Sequence, residues 1–314
     1  MSSQTLAVDK VSIHGRSLKQ ILDSHLAWLD EKGGERANLW RANLSDVNLQ
    51  RADLRHAILT GASFLDANLS YSEFGGADLR GADFRNATLL GADFTGAYLA
   101  EVDFQRCWLA EANFSEAHME GARYRDAIMR DCRLYEVRMH ACDFTNANLH
   151  SAFFNHASAL DCLFSEADLE GCHFSNARLQ SCRFTAAKLD QANFRSAQAR
   201  NCDFQAAQLN SAKFTMANLS QSLFCKAAMS NCDFRNTNLS ATDFSNAILV
   251  GSVFGEANTL AADFRGAVLE GARELTSHQL LQARTSYDTI LPSGKRGPFV
   301  RGLDGEFLGR RQLR

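Results

Sequence analysis

Residues 37–269 repeat every five positions without losing phase. Numbers ending in 4 or 9 carry a large apolar residue with few exceptions, and two positions earlier stands a small one. Ala42 precedes Leu44, Ala92 precedes Phe94, Cys172 precedes Phe174 and Ala267 precedes Leu269. A period of five fits neither the 3.6-residue helix nor the two-residue strand. The unit therefore has its own geometry: two residues inward, three outward and a bend. A repeat of this kind decides the fold before any helix or strand is assigned. The large residue also alternates, as in Leu79, Phe84, Leu89, Phe94, Leu99 and Phe104. In stacked coils like must lie over like, so each coil holds an even number of units. Two units leave no interior; four give a square coil of twenty residues, with Phe on two opposite sides and Leu on the others. Three exceptions, Ala159, Ala199 and Thr259, differ by multiples of twenty and fall on one side. Nearly twelve coils at about 4.8 Å each give a rod about 55 Å long.

The local pattern reads Ala42-Asn43-Leu44, Ala52-Asp53-Leu54 and Ala82-Asp83-Phe84. In this the chain resembles the pentapeptide repeat family, whose signature is A(D/N)LxX, over about three-quarters of its length. The resemblance implies an all-β solenoid, a right-handed quadrilateral β-helix, here of about 12 coils with short helical caps at both ends. It implies far less about activity, because one fold hosts many functions.

The ends have signals of their own. Ser17 and Gln20 form a capping box that opens a helix, with Leu18, Ile21, Leu22, Leu26 and Leu29 on one face and Gly33-Gly34 as its stop. Residues 10–13 suit a short edge strand. Thr276 and Gln279 form a second capping box, opening a short helix through Arg284, and 299–308 suit a hairpin turning at Asp304-Gly305. A bare solenoid end exposes unpaired backbone and an apolar lumen, so these ends read as covers. The expected division is a leader and capping helix over 1–34, the repeats over 35–272 and a C-terminal cap over 273–314. Ala159-Leu160 and Thr259-Leu260 each place Leu one step late, which predicts a bulge or register slip at both. Ile248 and Val268, twenty apart in the last coils, are expected under the tail.

Composition narrows the function classes. No apolar run approaches the length of a membrane span, and the first residues lack a secretory pattern. Eight of nine cysteines sit at the small inward position, where free Cys behaves as a small hydrophobe; Cys225 alone should face outward. Cysteine used this way points to a reducing, cytoplasmic setting. Net charge is −3, with an acid excess before residue 120 and a basic 275–314 carrying seven basic and three acidic residues. No phosphate loop, zinc motif, nucleophile elbow or CxxC occurs, and the nine histidines are scattered. No catalytic residue, cofactor or metal is therefore assigned, and neither a membrane nor a nucleic-acid partner is expected.

What remains is a binding or scaffold module for a protein partner, as a monomer or dimer. Candidate contact residues are the acids Asp83 and Asp103, Arg123 in the locally basic middle, Trp108 and Ile128 twenty apart on one face, and the outward apolar Phe153, Leu160 and Leu163. Some proteins of the family it resembles mimic duplex DNA and protect type II topoisomerases such as DNA gyrase from inhibitors. The acidic first half fits that alternative; the low total charge and interleaved Arg do not.

Overall fold

The computed structural model describes residues 6–301 and 307–308. The chain divides into two compact units, Met1–Ser158 and Ala159–Arg314.

The first unit opens with Ser12–Ile13 paired antiparallel to Arg16–Ser17, followed by helix α1, Leu18–Leu29. The Ser17 hydroxyl accepts from the Gln20 N–H, and the Gln20 side chain accepts from Ser17 in return. The expected strand at 10–13 is shorter, since Val8–Lys10 form a 3-10 turn. The helix stops at Leu29, before the glycines, and Glu31 is the first left-handed residue after it. Its buried stripe is Leu18, Ile21 and His25, whereas Leu26 faces solvent.

From Asn38 onward each outward residue pairs, in parallel, with the residue twenty later. Asn38 pairs with Ile58, Asn43 with Ser63, Asn48 with Asn68 and Asp53 with Glu73. These start four walls, A, B, C and D. The N–H of an inward residue donates forward, Leu54 to the Glu73 carbonyl at 2.7 Å, while the next coil's outward N–H donates back, Glu73 to Ala52 at 2.9 Å. Asn or Asp before the large residue closes the bend by accepting the N–H two positions on, as Asn43 does from Ser45 at 3.1 Å. At the corner, two positions after the large residue, φ is near +60° whether or not the residue is Gly: Arg51, His56 and Asn86 all have φ 60°. Each such residue costs about 1–2 kcal/mol in isolation. The cost is offset because the corner N–H still bonds the next coil, as His56 does to the Gly75 carbonyl at 2.9 Å.

Inside, Phe64, Phe84, Phe104, Tyr124 and Phe144 stack along wall B at 4.6–5.0 Å. Phe74, Phe94 and Phe114 stack along the opposite wall D at 4.8–4.9 Å. Rings of the two columns meet edge-on, Phe84 with Phe94 at 6.1 Å. Leu and Met fill walls A and C, and all of these side chains are buried.

The second unit repeats the plan on the same twenty-residue count. Phe164 to Phe264 stack along wall B at 4.6–5.3 Å, and Phe174 to Phe254 along wall D at 4.8–5.3 Å. The expected register slips do not occur. Ala159 is buried and Leu160 exposed, with Cys162 in its inward place. Asn238 pairs with Asn258 and Asp243 with Asp263, so the register also holds across Thr259-Leu260. Phase is held by the backbone ladder, and the inward slot accepts Ala or Thr. The Thr259 hydroxyl donates to the Gln279 carbonyl at 2.8 Å.

After the repeats, Thr276 caps helix α2, Ser277–Gln282, through the expected box. Gln279 reaches back and donates to the carbonyls of Phe254 and Ala257, both at 2.9 Å. Arg284 pairs with Asp263, and Ile290 with Val268. The tail thus extends two walls, but it leaves Ile248 45% exposed rather than covered. Val300–Arg301 pair antiparallel with Phe307–Leu308, as the hairpin expectation requires; its Asp304-Gly305 turn lies outside the described residues.

Candidate interaction surface

Every inward position is filled, so any site must be made from wall and corner side chains. In the first unit wall B brings Asp83, Asp103 and Arg123 into one column through successive pairings. Arg123 donates to Asp103 at 3.1 and 3.3 Å, and Asp103 is largely buried. Asp83 is held by Arg85 at 2.7 Å. On the adjoining wall C, Trp108 pairs with Ile128, and the indole is 51% exposed. Phe153 lies on wall D, half-buried, with its ring 5.8 Å from Tyr135. In the second unit Leu160 stands exposed at the corner after wall A, and half-buried Leu163 pairs with Arg183 on wall B. The structure thus joins Asp83, Asp103 and Arg123, and separately Trp108 and Ile128. It does not gather all the candidates onto one surface.

The acids follow a rule that the sequence leaves hidden. Where Arg stands two positions after a wall Asp, the pair closes on itself: Asp53–Arg55, Asp78–Arg80, Asp83–Arg85, Asp233–Arg235 and Asp263–Arg265, all at 2.5–2.7 Å. Hydrogen bonding from that guanidinium holds the Asp78, Asp83 and Asp233 carboxyls below the usual carboxylate range, against the opposing effect of burial. The acids of 61–120 that lack a neighbouring cation include Glu101, Glu111 and Glu116. These three sit on different corners, but acids also stack in successive coils: Glu73 with Asp93 on wall D, Asp83 with Asp103 on wall B, and Glu101 beside Glu120 on one corner.

Sequence reasoning missed the surface clefts, among them one in each unit. In the first unit a cleft of about 280 Å³ is lined by Ala100, His118, Glu120, Arg138 and His140. Tyr98 stacks on His118 at 5.3 Å beside it. The signal was present, because Tyr98, His118 and Arg138 are twenty apart. In the second unit a cleft of about 540 Å³ lies under α2, between Arg235, Gly255, Glu274 and His278. Both are open, and among the described residues neither is lined by a buried, unsatisfied polar side chain.

The cysteines behave as core. Burial pushes the Cys107, Cys132 and Cys232 thiols up, and each donates to a backbone carbonyl at 2.7–3.0 Å. Cys182 is raised by hydrogen bonding with the Cys162 and Cys202 thiols and by burial, as a stacked column requires. Cys225 is partly exposed. No helix among the described residues is long and apolar enough to cross a membrane.

A family model described as pentapeptide repeats matches in overlapping copies over residues 35–151 and 202–273, and a second, described as a pentapeptide repeat region, matches 137–214. Among solved structures, HetL, a pentapeptide repeat protein of a Nostoc cyanobacterium involved in heterocyst differentiation regulation, is 25% identical. The match covers 79% of this chain and 93% of that one, with a TM-score of 0.28. QnrB1, a plasmid-mediated fluoroquinolone resistance protein, is 19% identical over 57% of this chain and 81% of that one, with a TM-score of 0.34. A pentapeptide repeat protein of the Arabidopsis thaliana thylakoid lumen is 27% identical over 36% of this chain and 69% of that one, with a TM-score of 0.20. No curated protein matches. Superpositions this loose leave function to be argued from the chain itself.

Proposed function

Because the chain belongs to the pentapeptide repeat family, we propose that it acts as a non-catalytic binding or scaffold module for a protein partner, working in the cytoplasm. In this reading the repeats over 35–272 form about twelve coils, with 1–34 and 273–314 covering their ends. The two capping-box helices and the pairing of Arg284 and Ile290 onto the last walls support that division. The observation that carries the functional reading is the state of the walls. Their perturbed carboxyls are already chelated by Arg on open surface, whereas catalysis needs convergent, perturbed groups in a cleft. Flat walls of mixed charge bearing isolated large apolar residues, such as Trp108, suit a protein surface.

A DNA-like decoy for DNA gyrase is the second reading. Residues 61–120 favour it, with ten acidic and three basic side chains. The closure of Asp78 and Asp83 by Arg80 and Arg85 counts against it.

Affinity capture from the native cell, with wild type beside Trp108→Arg and Leu163→Glu, tests the first reading. A partner that binds wild type and is lost from one of these folded variants supports it. Retention of nothing by wild type, or equal retention by all three, overturns it.

A further inference from the structure

The second unit carries an uneven distribution of charge that the proposed function leaves unused. Its three coils over 171–230 hold seven basic and two acidic residues, a net of +5. The seven are Arg178, Arg183, Lys188, Arg195, Arg200, Lys213 and Lys226, all exposed. None makes an ion pair with a described residue, in contrast to the self-closed Asp–Arg pairs elsewhere. The reason is local. Arg195 and Arg200 follow Asn193 and Gln198, where the closed pairs have Asp. The two acids present are engaged otherwise: Asp190 accepts the Asn210 N–H at 2.7 Å, and Asp203 accepts from Thr185 at 3.1 Å and from Gln205 at 3.0 Å. In register, Lys213 stands on wall D, Arg195 on the next corner, Arg178 on wall A, Arg200 on the corner after it and Arg183 on wall B. Five cations therefore form an arc across three walls. Met216 and Leu223, 52% and 38% exposed, add apolar surface to the same coils.

An arc of unpaired, exposed cations attracts an anionic partner. A nucleic acid fits it poorly. No Trp or Tyr occurs in 171–230 and every Phe there is buried, so no ring is offered for base stacking. The chain itself supplies the opposite charge: residues 61–120, also three coils long, carry a net of −7. We infer that two copies of this chain associate by docking the basic arc of one, centred on Arg178, Arg195 and Arg200, against the acidic coils 61–120 of the other. This goes beyond the proposed scaffold role and stands or falls separately from it. The contact joins different surfaces of the two copies, so it closes into a dimer only where both copies make it reciprocally, and otherwise extends into chains.

Sedimentation velocity of the full chain tests this at about 20 mM and about 300 mM salt, a span over which screening of exposed charges becomes severe. Association at the lower salt, with an association constant falling more than about tenfold at the higher, is the expected result. Reversing Arg178, Arg183, Arg195 and Arg200 to Glu takes the arc from +5 to −3 and should leave a monomer. Reversing Glu101, Glu111, Glu116 and Glu120 to Lys should do the same from the other side. All eight side chains point outward, and circular dichroism verifies that both variants fold. Mixing the two monomeric variants should restore a complex, because one keeps the acidic coils and the other the arc. The proposal is overturned by a monomeric wild type at low salt, by association that survives either reversal, or by a mixture that stays monomeric. Salt-sensitive binding of single-stranded or duplex DNA by a wild type that does not self-associate overturns it in favour of a nucleic-acid surface.

Discussion

Phe204→Ala tests the internal columns at their most regular point. The Phe204 ring lies 4.7 Å from Phe184 and 4.6 Å from Phe224, both nearly parallel, and meets Phe194 edge-on at 5.9 Å. It is fully buried. Truncating a buried Phe costs about 3–5 kcal/mol, including the cavity. Each lost aromatic pair is worth about 0.5–1.5 kcal/mol, partly counted in that range already. About 4 kcal/mol is therefore expected. Because coils contact only their neighbours, the loss should be local rather than shared by the whole chain. Native-state hydrogen exchange reads it directly. The Phe184 N–H, bonded to the Asp203 carbonyl at 2.6 Å, and the Phe204 N–H, bonded to Leu223 at 2.7 Å, should exchange about a thousandfold faster. Phe204→Leu is the control, since Leu134 occupies a wall D Phe position naturally and is buried there. Acceleration of less than about tenfold in the Ala variant would refute the idea that stacked rings, rather than the backbone ladder alone, hold these coils together.

Three further outcomes follow from other parts of the molecule. His25 is buried, its Nδ1 accepts the Ala37 N–H at 3.1 Å and its Nε2 has no hydrogen-bond partner. Burial lowers its pKa; Asp53 and the Arg55 carbonyl oppose this, while Arg36 and His56 reinforce it. The unfolded state therefore takes up a proton that the folded state refuses, so the attachment of α1 is fully stable above about pH 6.5 and weakens as pH falls below it. Exchange of the α1 amides should show that loss in wild type, and His25→Leu should flatten it; a pH-independent wild type would be contrary. Gly91→Ala should cost about 1–3 kcal/mol in denaturant melts, because φ is +61° and the new methyl would stand 2.8 Å from the Tyr71 ring, while an unchanged midpoint would mean that the corner relaxes freely. Under native conditions a thiol reagent should modify Cys225 alone; rapid labelling of Cys107, Cys132 or Cys232 would contradict their burial.

The fold was legible because its period is set by backbone geometry and each unit writes it again. The Phe and Leu columns, the Cys162–Cys182–Cys202 stack and both capping boxes follow from counting in fives and twenties. Features set by a neighbour rather than by the period were not legible. His25 breaks the apolar pattern of α1, yet it packs inward because its ring satisfies the first repeat's N–H. Glu, Arg and His occupy left-handed corners where only Gly announces the conformation. Leu160 and Leu260 suggested slips because side chains were expected to set the phase, which the ladder sets instead. The surface was the least readable part. Asp83 and Arg85 read as separate charges until the structure closes them into a pair.

Whether the acids of the first unit act as a DNA-like row is decided most directly by a supercoiling assay. Purified protein, titrated into DNA gyrase with and without a fluoroquinolone, should leave both the supercoiling rate and the drug's potency unchanged. Inhibition of supercoiling, or rescue from the drug, would contradict the view that Asp–Arg closure keeps these walls from acting as a DNA-like negative face.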